Sequence, residues 1–177
     1  MRPEQDPIVA AVELLLQDAR VEGPPVPVER IAHMHGALIR YEPFDGDLSG
    51  LLFREQDQIV IGVNALHSKT RQRFTIAHEL GHLILHSTKR IHVDRNFRVY
   101  ARDGRSTTAT DSDEITANAF AAALLMPESM LRLDLKDHVI DLENDTKVQE
   151  LADQYKVSLQ AMTFRLINLR LVQPLQY

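Results

Sequence analysis

Five residues, His78-Glu79-Leu80-Gly81-His82, constrain this chain more than any others. They sit inside the apolar run Phe74-Thr75-Ile76-Ala77-His78-Glu79-Leu80-Gly81-His82-Leu83-Ile84-Leu85-His86, which has no helix breaker except one glycine. On an α-helix, positions four apart share a face one turn apart. His78 and His82 therefore point the same way and can grip one cation. Glu79 is rotated by about 100° from His78 and flanks that cation without ligating it. Two imidazole ligands and a neighbouring carboxylate are what a metal-activated water requires. A surface helix with two solvated histidines would carry the same five letters, but the apolar context argues against it. Gly81 costs about 1 kcal/mol of helix propensity, so it predicts a close backbone approach in mid-helix.

A catalytic zinc typically takes three protein ligands. The candidate for the third is Glu114, at the start of the alanine-rich stretch 113–126, which reads as a helix ended by Pro127. Asp111, Ser112 and Asp113 are its candidate caps. Glu114 and Asn118 are again four apart, so Glu114 can reach a metal while Asn118 orients a ligand imidazole from behind. An acid in the first turn of a helix also complements the helix dipole, and that role for Glu114 stays open from the residues alone. His86 continues the four-residue spacing. Ligands at 78, 82 and 86 would span about 12 Å of one helix axis, too far for one ion. His86 is therefore expected at the helix end, either favouring the dipole or lining the cleft. His33, His35, His67, His92 and His138 are scattered and are expected to be solvent-facing or structural.

The run 73–86, followed by Glu114-x-x-Ala117-Asn118-x-Phe120-Ala121-Ala122-x-Leu124-Leu125-Met126-Pro127, resembles the ImmA/IrrE family of bacterial and phage metallopeptidases. The resemblance implies a gluzincin-like site with His78, His82 and Glu114 as ligands and Glu79 as general base. It also implies a substrate class, helix-turn-helix repressors of the Cro/CI type, cut to relieve repression. Zinc is the expected metal for two histidines and a glutamate, with manganese or iron as alternatives.

The rest of the chain fits one small enzyme. Its 177 residues are 44% hydrophobic, enough for a real core. With no cysteine, disulfides and thiolate ligands are excluded. A formal charge of −5 argues against a protein whose main business is gripping DNA. The N-terminus lacks a signal-peptide layout, and no apolar run reaches membrane-spanning length, so a cytoplasmic protein is expected.

The predicted elements are helices over 8–20 and 28–35, the second closed by Gly36, then strands over 37–41, 50–53 and 58–63, with a polar turn at 54–58. The expected fold is α+β: a zincin-like domain over 1–140 with a small antiparallel sheet beside the metal helix, and a helix-turn-helix-like segment over 141–177. An edge strand of such a sheet can pair with an extended substrate, and residues 48–53 are the expected edge. Residues 89–112, with five arginines, read as a solvated loop or a flap over the cleft.

In the C-terminal segment, Leu151, Ala152, Val157, Ala161, Met162 and Leu166 have the spacing of a helix-turn-helix core, and Ser158 is placed to cap the second helix. The outward face would offer Gln160, Thr163 and Arg165. Residues 147–177 carry four basic and two acidic groups, a net of +2. That is weak for DNA reading through 147–170, so docking or packing is the favoured role. The alternative to a protease is a DNA-binding, adaptor or toxin-like regulator with a structural or silent metal site. The intact Glu79 favours catalysis, because a structural site needs no base.

Overall fold

The computed structural model describes residues 6–45, 48–55, 58–85, 91–94, 109–136, 140 and 145–172. His86 and nearly all of the arginine-rich stretch lie outside them. The described elements are α1 (Pro7–Asp18), α2 (Val28–Met34), β1 (Ala37–Glu42), β2 (Gly50–Glu55), β3 (Gln58–Asn64), α3 (Lys69–Leu85), β4 (Ile91–Asp94), α4 (Ala109–Leu125), α5 (Glu128–Leu135), α6 (Asp145–Tyr155) and α7 (Leu159–Asn168). They form an α+β protein of two units, one over Val28–Ala121 and one built from Met1–Pro27 with Ala122–Tyr177.

In the Val28–Ala121 unit, α2 stops where Gly36 takes a φ of +79°, a left-handed turn that suits glycine. The sheet order is β1-β3-β2-β4. β2 runs antiparallel to β3, as expected, and also to β4, a strand inside the stretch 89–112 that was expected to be a loop or flap; β1 pairs with β3 in parallel, from Ala37 opposite Ile59 to Glu42 opposite Asn64. The chain reverses after β1 without closing a hairpin, and β3 fills the place between β1 and β2. One further expectation is corrected here. Residues 50–53 are not an edge: β2 is bonded on both sides, and β1 and β4 are the outer strands among those described.

α3 lies against β2 and β3. Its start is locked by a buried polar knot. The Asn64 Nδ2 donates to Leu48 O at 2.8 Å, its Oδ1 accepts from Leu66 N at 3.0 Å, and Gln72 Nε2 donates to Ala65 O at 3.1 Å. Asn64 and Gln72 are both buried, and their donors and acceptors are satisfied by the loops around them, which is the condition for burying amides. The knot ties the β1–β2 connection, the end of β3 and the first turn of α3 into one piece. It therefore sets where the next turns of α3 fall.

α4 begins at Ala109, two to four residues before the expected caps. Asp111, Ser112 and Asp113 are therefore helical. Thr116 Oγ1 donates to the Ser112 carbonyl at 2.8 Å, a bond within the helix.

In the other unit, Asp6 caps α1, accepting from Ile8 N at 2.8 Å, with Pro7 in the first turn. α5 has no counterpart in the sequence reading; it is short and follows directly on Pro127. α6 and α7 are joined at Lys156, whose φ is +55°, and Ser158 Oγ accepts from Ala161 N at 3.2 Å as expected. Leu151, Ala152, Val157, Met162 and Leu166 are buried as the spacing requires, around a fully buried Tyr155. The Tyr155 hydroxyl donates to Asp134 at 2.7 Å, and burial followed by that carboxylate pushes its pKa well above the usual phenol range.

Candidate metal centre

α3 is buried along both of its faces between Gln72 and His82, so its polar side chains must be satisfied inside the protein. His78, Glu79 and His82 are 1%, 0% and 3% exposed. Three ionisable groups on one turn in a dry environment are costly unless they serve a charged guest. The two imidazoles meet edge to face with centroids 4.7 Å apart, which brings their Nε2 atoms to 3.1 Å. From α4, Glu114 Oε2 stands 3.3 Å from His78 Nε2, and Glu114 Oε1 stands 3.3 Å from His82 Nε2. Burial opposes ionisation of Glu114. The hydrogen bonds and charges of His78 and His82 outweigh it and hold the carboxyl well below the usual carboxylate range.

Asn118 Oδ1 lies 2.8 Å from His78 Nδ1. An amide oxygen only accepts, so His78 Nδ1 carries the hydrogen, and Nε2 is the nitrogen that can ligate. Two imidazole nitrogens and a carboxylate at 3.1–3.3 Å from one another are held together by a shared positive charge, a proton or a metal ion. Three donors on a tetrahedral ion at about 2.0–2.1 Å lie roughly 3.3 Å apart, so the spacing suits zinc without rearrangement. His78, His82 and Glu114 form such a group, with their candidate ligand atoms all within 4.8 Å of one another. The structure thus brings together His78, His82, Glu114 and Asn118, with Glu79 buried on the same turn of α3, while His86 lies outside the described residues. His33 and His35 are exposed, as expected.

Gly81 is the close approach that the sequence predicts. A Cβ there would lie 3.0 Å from Phe120 Cδ1 and 3.3 Å from Ala117 Cα. Residues 81, 117 and 120 therefore set the separation of the two helices that carry the metal group.

The structure also shows contacts that motif reading missed. Positions 50, 52 and 54 of β2 share one face. From that face Arg54 Nη2 donates to the His82 carbonyl at 2.8 Å, and Gly50 abuts Thr75 and Glu79. Arg54 supplies a cation near the α3 C-terminal end, where the dipole favours it. Period-two spacing in β2 was a legible signal, but which helix that face meets was not.

The family model of peptidase M78, described as the IrrE N-terminal-like domain, matches residues 32–167. The chain belongs to this family. The M78 fold is zincin-like, and the α3–β2–α4 arrangement is its local expression here. No curated protein matches the sequence. Among solved structures, a Mycobacterium tuberculosis transcriptional regulator is similar in fold, with a TM-score of 0.59, 17% identity and 90% of this chain covered. This M78 chain spans 46% of that regulator's length. Among the described residues, no helix is long and apolar enough to cross a membrane.

Proposed function

We propose that this chain is a zinc-dependent endopeptidase whose substrate is a helix-turn-helix repressor of the Cro/CI type. The observation that carries the catalytic part is the convergence of His78 Nε2, His82 Nε2 and the Glu114 carboxylate, with the buried Glu79 on the same helix turn. His78, His82 and Glu114 would hold the ion, and Asn118 keeps His78 in the tautomer that ligates. A bound zinc supplies a Lewis acid that acidifies water and polarises the scissile carbonyl. Glu79 accepts the proton from the attacking water and returns it to the leaving amine. Its burial keeps bulk water from competing for that proton. Manganese or iron would suit the same nitrogen and oxygen donors.

The repressor as substrate is supported by family membership and by a fold neighbour named a transcriptional regulator. An extended segment of that substrate would add to β4, an outer strand of the sheet whose β2 touches α3. The C-terminal pair α6–α7 would serve as a docking module rather than a DNA reader. Arg165, one of three residues expected on its outward face, is turned inward and donates from Nε to the Met126 carbonyl at 3.0 Å. Burial lowers its pKa, and the charge of Glu128 only partly offsets that. A cytoplasmic location goes with a DNA-binding target.

The test uses the purified chain and a Cro/CI-type repressor encoded beside its gene, if sequencing of the flanking region finds one. Wild type should cut the repressor once, and a chelator should stop it. Glu79→Gln should stay folded, bind zinc and cut at least about a hundredfold more slowly. Cleavage that survives both the substitution and the chelator refutes the reading. Stable binding of the repressor without cleavage by either protein would favour an adaptor with a silent metal site.

A further inference from the structure

Glu79 can act as a base only if its carboxylate is held still, and β2 packs against the side of α3 that carries it. Gly50 opens β2 and is paired on both sides, with Val63 of β3 and Asp94 of β4. Its backbone therefore cannot retreat from α3 without breaking the sheet. A Cβ at position 50 would collide with Thr75 Cγ2 and would come within 3.1 Å of Gly62 O and 3.3 Å of Glu79 Oε1. Thr75 is 3% exposed and lies one helical turn before Glu79, on the same side of α3. Thr75 can relieve that clash only by changing χ1, and threonine in a helix has two rotamers to choose between. Gly62 O is backbone in the central part of the sheet. The Glu79 carboxylate is the second side chain that must give, by a few tenths of an ångström.

We infer that Gly50 and Thr75 are positioning residues for Glu79: glycine at 50 leaves the space into which the Thr75 methyl and the Glu79 carboxylate both pack. This inference rests on the proposed role of Glu79 as base. Neither residue touches the reacting atoms. Both act through the place they leave for one side chain. A glycine at 50 then serves the chemistry, although no turn or positive φ demands it there.

The experiment compares zinc-loaded wild type, Gly50→Ala, Gly50→Ala/Thr75→Ser and Glu79→Gln. Crystal structures read the position of the Glu79 carboxylate, and acetohydroxamic acid, whose metal-bound form needs a hydrogen-bond partner in the base, reads its function without a substrate. In Gly50→Ala the carboxylate is expected to shift by a few tenths of an ångström. Acetohydroxamate affinity and repressor cleavage should each fall about tenfold, with one zinc per chain retained. Removing the threonine methyl in the double variant should return most of each loss. A Glu79 unmoved in Gly50→Ala, or a double variant no better than the single one, overturns the inference. If Gly50→Ala does not fold, Thr75→Ala reads the same packing from the other side: alternate Glu79 conformers and weaker acetohydroxamate binding support it, and a single unmoved conformer with wild-type affinity overturns it. Failure of the protease reading looks different. Wild type would then cut no repressor, while the displacement of Glu79 and its rescue would still decide this inference.

Discussion

Replacing Gly81 by alanine pits two effects of known size against each other. Helix propensity favours alanine by about 1 kcal/mol in a helix interior. Against it stands the contact with α4, where the new methyl would lie 3.0 Å from Phe120 Cδ1, 3.3 Å from Phe120 Cγ and 3.3 Å from the Ala117 Cα. Phe120 is fully buried and the Ala117 atom is backbone, so relief requires the helices to part by a few tenths of an ångström. Adding a methyl to a well-packed core costs about 1–3 kcal/mol. The net expectation is a destabilisation of roughly 0–2 kcal/mol, with packing the winner. The larger effect falls on the metal. α4 carries Glu114 and Asn118, both within 3.3 Å of groups on α3. A small separation stretches every one of those distances, and a loss of about tenfold in zinc affinity, near 1.4 kcal/mol, is expected. Urea unfolding of the metal-free protein gives the first number, and competition with a chromophoric zinc chelator gives the second. A variant stabilised by the full 1 kcal/mol with unchanged zinc affinity would refute the close approach of the two helices.

Other outcomes follow from single contacts. Asn118→Ala frees His78 to adopt the wrong tautomer, so zinc affinity or activity should fall about 10- to 100-fold with the fold intact, as the same chelator competition reads. Arg54→Leu leaves the His82 carbonyl without its cationic donor, so a loss of about 1–3 kcal/mol in urea unfolding is expected, together with weaker zinc binding. Equal stability and affinity would show that bond to be idle. Tyr155→Phe removes the hydroxyl from Asp134, which keeps a bond from Gln154, and should cost about 1–2 kcal/mol without changing zinc affinity.

What the sequence determined by itself is what depends on neighbours along one element. The relation of His78, Glu79 and His82 follows from helical periodicity alone, and so does the pairing of Glu114 with Asn118 on one face of α4. The glycine at 81 announced a close approach through its propensity cost, and Ser158 announced the start of α7 because a side-chain cap acts over three residues. Contacts between elements were legible only where a residue type announced one, as Gly81 did, or where the motif called for a further ligand, as with Glu114, which lies 32 residues beyond His82. Elsewhere tertiary structure decided. Whether β1 pairs with β2 or β3 depends on which backbone fills the gap, and side-chain alternation is the same in either case. Gly50 and Arg54 look ordinary in a strand until β2 is laid on α3. Arg165 had the spacing of an outward residue, yet its long side chain bends back to reach the Met126 carbonyl. The physical reason is common to all of these: helix and strand periods fix which face a residue occupies, whereas what that face meets is set by the packing of the whole chain.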